Sequence, residues 1–184
     1  MSNQKTKTIV KTSKLFSLIL RHQPDVIGIE LDENGWADIK ELIGKFSKKY
    51  FPINRSIMDE VVANNNKKRF SYDDSGTKIR ANQGHSIAVD VELEEKTPPH
   101  VLYHGTVEKF LHLIFESGLL KMSRQHVHLS ADIDTAKNVG SRRGKPVILT
   151  VDSQQAFADG IKFYLSKNGV WLADHIPTKY LQRI

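Results

Sequence analysis

Two short runs carry residue types that chemistry can use. Residues 101–106, VLYHGT, end an apolar stretch in His104-Gly105-Thr106, and residues 126–130, HVHLS, follow downstream. Side chains alternate along a strand, so His128 and Ser130 fall on one face. Gly105 is expected to let backbone approach a ligand closely, with His104 and Thr106 supplying donors and acceptors. Around these runs stand cationic residues: Arg21-His22 at the end of an apolar helical pattern, Arg69 in NKKRF, Arg124 before HVHLS, and Arg142 in GSRRG. Guanidinium groups grip phosphate bidentately and imidazole titrates near neutrality, so together these types suit handling a phosphate. Taken singly, each has a plainer reading. Arg21-His22 complements a helix dipole, residues 66–70 form a solvated face, Arg142 is helix-end charge, and His104 and His128 are satisfied, partly buried histidines.

The elements that must position them can be read from pattern. The chain has 184 residues, 39% hydrophobic and 26% charged, which suits a globular protein with room for two small cores. No apolar run approaches the roughly 20 residues that span a bilayer, and the polar start MSNQKTKTIVKTSK has no signal core, so a cytoplasmic protein is expected. Cysteine is absent, which removes disulfides, thiolate ligands to zinc and thiol nucleophiles. The eight histidines lack the spaced carboxylate or cysteine partners of a catalytic metal site, so no metal is implied. A net charge of +6 suits a polyanionic partner without proving one.

Residues 89–100, VDVELEEKTPPH, are acidic and end in Pro98-Pro99, which reads as a linker between pieces 1–95 and 99–184. In the first piece the spacing predicts helices over 13–21, 38–46 and 55–63, a strand over 27–31, and a hairpin of 69–72 with 77–81 around Asp73-Asp74-Ser75-Gly76. Three helices and a hairpin suggest a small winged-helix domain. In the second piece strands are predicted at 101–104, 126–130, 147–151, 162–165, 170–172 and 179–182, with helices at 107–117 and 132–139. The expected class is α+β.

The order of motifs narrows the reading. LILRHQP, GWADI, KKRFSY, IRANQGHS, LYHGT, HVHLS, NVGSRRGKPVILTV and NGVWLA occur in succession across nearly the whole chain. In this order they resemble the RNA 2′-phosphotransferase family. The resemblance implies a winged-helix lobe joined to an ADP-ribosyltransferase-like lobe that binds NAD. It also implies removal of an internal RNA 2′-phosphate, such as that of a tRNA splice junction, in two steps. The phosphate is first ADP-ribosylated with loss of nicotinamide. The ribose 2″-hydroxyl then attacks phosphorus, releasing the RNA 2′-hydroxyl and ADP-ribose 1″,2″-cyclic phosphate. The family's Arg-His-Arg-Arg tetrad falls on Arg21, His22, Arg69 and Arg124. His104, Gly105, Thr106, His128 and Ser130 match its NAD motifs, and Arg142 is a candidate for NAD or RNA phosphates. Because the tetrad draws on both pieces, neither alone is expected to turn over substrate.

Residue types agree with that chemistry. A phosphate monoester is already anionic and needs positioning more than a base. Many ADP-ribosyltransferases place a Glu where this chain has Val170, and an apolar residue there suits an acceptor that is itself an anion. Two rivals stay open: an ADP-ribosyltransferase acting on a terminal nucleic-acid phosphate or a protein, and a winged-helix regulator that senses NAD. The regulator requires base-reading side chains on 55–63, where Ile57, Met58, Val61 and Val62 look core-facing. Nothing in the pattern demands more than a monomer.

Overall fold

The computed structural model describes residues 3–64 and 68–184. The fold is α+β, packed as two compact units, Met1–Glu92 and Leu93–Ile184. Asn66 and Lys67, which open the predicted basic step, lie outside the described residues.

In the first unit α1 (Asn3–Arg21) buries Thr12, Phe16, Ile19 and Leu20 completely, at the spacing of one helix face. It starts ten residues before the predicted helix because its first turns are polar and carry no periodic signal. Pro24 stops it, since the residue before proline avoids helical backbone. Strand β1 (Ala37–Asp38) leads into α2 (Ile39–Lys49), where the Asp38 carboxylate accepts from the Glu41 amide at 2.8 Å; Asn54 caps α3 (Arg55–Ala63) from Ile57 at 3.0 Å. Strands β2 (Phe70–Tyr72) and β3 (Lys78–Ala81) pair antiparallel, and β1 completes the sheet in the order β1-β3-β2. Phe16 meets Phe46 and Phe70 edge-on, with centroids 5.2 and 6.1 Å apart.

The strand predicted at 27–31 is absent. A 3₁₀ turn at Pro24–Val26 and a positive φ of 70° at Gly28 break the extended path. Ile27 and Ile29 are nevertheless buried, so the alternation reports burial of irregular chain rather than a ladder.

Residues 89–100 are not a free linker either. The Asp90 amide donates to Glu33, Glu92 pairs with Arg80 at 2.9 Å, and β4 (Glu94–Glu95) joins a sheet of the second unit.

That unit continues with β5 (Val101–Val107), α4 (Leu111–Ser117), β6 (Leu119–Leu120), β7 (Val127–Leu129) and α5 (Ile133–Gly140). Then follow β8 (Pro146–Asp152), α6 (Ser153–Ala158), β9 (Tyr164–Leu165), β10 (Trp171–Ala173), β11 (His175–Ile176) and β12 (Leu181–Arg183). One antiparallel sheet runs β4-β9-β10-β7, another β12-β8-β5, and β6 pairs with β11. Backbone hydrogen bonds between Tyr103 and Ser130 stitch β5 to the end of β7. Leu102, Leu129, Leu149, Val151 and Phe163 fill the core.

Helix α5 lies against β5 with its backbone almost touching the strand. A Cβ on Gly105 would stand 1.7 Å from the Ala136 carbonyl oxygen, and one on Gly140 would stand 2.8 Å from the Thr106 oxygen. On its Cβ side, Gly105 therefore permits the close approach of a helix. Gly105→Ala should push α5 away and cost about 1–3 kcal/mol or more. A lowered urea midpoint at unchanged slope would show it, and wild-type stability would contradict this packing.

Candidate active site

In the first unit Arg21 is the last residue of α1, and the His22 amide still donates to Leu18 at 3.0 Å. The loop after β3 holds this helix end. Gly84 turns with φ 87°, the Ser86 amide donates to the Arg21 carbonyl at 2.9 Å, and Ser86 Oγ hydrogen-bonds His22 Nδ1 at 2.8 Å. Residues 83–86, which read as a mere loop, are thus a brace for Arg21-His22.

Arg69 enters the hairpin just before β2. Its carbonyl accepts from the Asn82 amide at 2.9 Å, while the Asn82 side-chain amide donates to the Lys68 carbonyl at 2.7 Å and its oxygen accepts from Ser71 at 2.7 Å. Asn82, 5% exposed, fixes the backbone on which Arg69 is carried. Arg80 is buried, stacks on Trp36 at 4.4 Å and donates to Glu92 at 2.9 Å, a structural use of a guanidinium.

In the second unit Val127 and Leu129 point into the core, while His128 and Ser130 are half-buried on the opposite face of the strand. His104 Nδ1 lies 3.1 Å from the His128 carbonyl, and Arg124 hydrogen-bonds His128 Nδ1. A carbonyl only accepts and a guanidinium only donates, so these contacts set both tautomers. His104 carries its proton on Nδ1, and neutral His128 carries its own on Nε2. Burial holds the His104 pKa below the ordinary histidine value, helped by Arg143 and opposed by the bond to His128. Arg124 is exposed, and partial desolvation, followed by the charges of Arg143 and Arg142, lowers its pKa.

The 3₁₀ turn Ser141–Arg143 continues α5, so Arg142 and the unforeseen Arg143 join Arg124 in one cationic field. Among the described residues no carboxylate pairs with any of the three. Thr106 is buried beside α5, and Ser130 contributes its backbone to the β5 stitch. Val170 is held through its amide by Ser166 Oγ at 3.0 Å. Clustered guanidinium groups without counter-charge, beside imidazoles of fixed tautomer, suit an anionic ligand.

The brace contains one further histidine, His85, which is 1% exposed. Neither ring nitrogen has a hydrogen-bond partner among the described residues. Burial first, then the charges of Arg21, His22 and Arg80, push its pKa from 6.5 to about 4. Such a group takes up its proton more readily unfolded than folded. Its contribution is complete above pH 6.5 and is lost as the pH falls towards 4. His85→Phe should fold, and it should lose about 2–3 kcal/mol less stability than wild type between pH 7 and pH 4.5 in urea titrations. Equal losses in the two proteins would show that His85 does not stay neutral.

A family model described as RNA 2′-phosphotransferase, Tpt1 / KptA family, matches residues 7–175. A protein of Flavobacterium johnsoniae named a probable RNA 2′-phosphotransferase is 58% identical over 170 residues, covering 92% of this chain and 93% of its own. Proteins with the same name from Trichormus variabilis and Fusobacterium nucleatum are each 53% identical, covering 94% of this chain and 94% and 97% of theirs. Agreement of this extent leaves no part of either unit's basic site outside the match, and the chain belongs to the RNA 2′-phosphotransferase family.

Proposed function

We propose that this protein removes an internal 2′-phosphate from RNA by transferring it to NAD. On this reading the first unit is a winged-helix lobe that supplies Arg21, His22 and Arg69. The second is an ADP-ribosyltransferase-like lobe that supplies Arg124 and holds NAD near His104, Gly105, Thr106, His128, Ser130 and Arg142. The observation that carries it is the cationic field of Arg124, Arg142 and Arg143, which no carboxylate among the described residues neutralises. Phosphate groups of RNA and of a dinucleotide are anions that would complete it.

In the first step a phosphate oxygen forms a bond to C1″ of the nicotinamide ribose while the bond to nicotinamide breaks, and nicotinamide leaves with the electron pair. Arg21 and Arg69 hold the phosphate for this displacement. In the second step the ribose 2″-hydroxyl attacks phosphorus and the bond to the RNA 2′-oxygen breaks. Guanidinium groups stabilise the charge gathered on the phosphoryl oxygens, and His22, its ring set by Ser86, delivers a proton to the leaving oxygen. Transfer to a protein is disfavoured because residues 168–172 contain no carboxylate to activate a neutral acceptor. A base-reading role for α3 is disfavoured because Met58 and Val61 are buried, while Arg55 is engaged by Asp59, Gly76 and Tyr72.

An RNA with a single internal 2′-phosphate should lose it only when NAD is added, with or without EDTA, as followed by mass. Turnover without NAD, or loss of turnover in EDTA, would overturn the reading.

Arg124→Ala should slow the second step about 100- to 1000-fold. A species heavier than substrate by one ADP-ribosyl group would then accumulate, and Arg124→Lys should restore little because an ammonium has no planar fork. Arg21→Ala should depress both steps. If rapid-quench time courses of Arg124→Ala show slow reaction without that species, Arg124 acts in binding instead.

A further inference from the structure

One strongly charged surface lies outside the residues assigned to the reaction. Helix α1 carries Lys7, Lys11 and Lys14 at helical spacings of four and three, all exposed. Seven residues farther on, two helical turns along nearly the same line, stands Arg21. No acidic residue occurs before Asp25, so nothing on α1 offsets these charges. Among the described residues none of the three lysines forms an ion pair, whereas Lys5, on another side of the helix, is held by Glu60 at 2.6 Å. Lys11 lies over the Phe51 ring at 4.8 Å, which orders its stem while its ammonium stays exposed. Lys7, Lys11 and Lys14, with Thr6 and Val10, line a shallow hollow on this face.

We infer that the Lys7–Lys11–Lys14 face of α1 is a docking surface for the sugar–phosphate backbone of the RNA strand that carries the 2′-phosphate. The inference rests on the proposed phosphotransferase reading and extends it from one phosphate to its flanking chain. Three like charges spaced over about 10 Å of helix match a linear polyanion better than a single small anion. An anionic membrane fits poorly. Val10, at 49% exposure, is the exposed large apolar side chain of α1, and a helix lying in a bilayer surface needs an apolar face.

The test compares full-length wild type with K7Q/K11Q/K14Q, since glutamine keeps helix propensity. A control, K96Q/K162Q/K179Q, removes equal charge from lysines paired with Glu94, Glu95 and Asp159. Binding of an unmodified RNA of about 20 nucleotides is measured across salt concentrations. The α1 variant should bind at least about tenfold more weakly, and its slope of log Kd against log salt should fall by about 2. Its kcat/KM should drop correspondingly on a long 2′-phosphorylated RNA, and far less on a 2′-phosphorylated dinucleotide. Unchanged Kd and slope, equal loss in the control, or loss of binding to anionic vesicles without loss of RNA binding would each overturn the docking surface. Failure of wild type to process even the dinucleotide with NAD would instead overturn the phosphotransferase reading, leaving the binding comparison to judge α1.

Discussion

The second unit depends on the contact between the backbones of α5 and β5. Helix and strand meet at Gly105 and Gly140, where any side chain would collide with main-chain atoms. The seat is what lets one short helix aim its C-terminal end. Arg142 and Arg143 follow Gly140 after one residue, Ser141; the charges of both are felt at Arg124, and that of Arg143 at His104. On the other edge of β5, the backbone bonds from Tyr103 to Ser130 bring His128 to the same strand. Widening the helix–strand gap by even a methyl group would move the cations while leaving the histidines behind.

Cations gathered this way repel one another, and the His104 imidazole beside them is held below the ordinary histidine pKa. His104 is buried and donates to a carbonyl, while His128 accepts from Arg124. His85 sits uncharged behind Arg21 and His22. A protonated His104 would add charge beside Arg143 in the second unit, and a protonated His85 would add charge beside Arg21 and His22 in the first. The surplus is therefore carried by guanidinium groups, which do not deprotonate, and is left for a ligand to neutralise.

Much of this was legible in the residues. Apolar spacing located α3 to the residue, and Asp73–Gly76 marked the hairpin. Motif order pointed to the family and to the basic residues. What pattern alone misread has a common physical cause, since local periodicity does not know its partners. Ile27 and Ile29 alternate like a strand but have no neighbouring strand to pair with. The acidic run 89–100 reads as solvated linker until Arg80 and β9 claim parts of it. Gly105 signals close approach, but not what approaches. The brace at 83–86 gave no periodic signal at all, because its work is done by single hydrogen bonds from a turn.

The distribution of neutral imidazoles also bears on the proton required in the second step of the proposed reaction. His85 and His104 are buried and held below the ordinary histidine pKa, so near neutrality they have no dissociable cationic proton to give. His128 receives a hydrogen bond on Nδ1 from the Arg124 guanidinium. His22 differs in kind. Its Nδ1 meets a hydroxyl, Ser86 Oγ, which can either donate or accept. His22 is the histidine that the proposed reaction places at the leaving oxygen, with its ring set by Ser86. In the proposed reaction, general-acid work is given to the helix end that Ser86 and Gly84 hold in place, and the arginines are given the binding of charge.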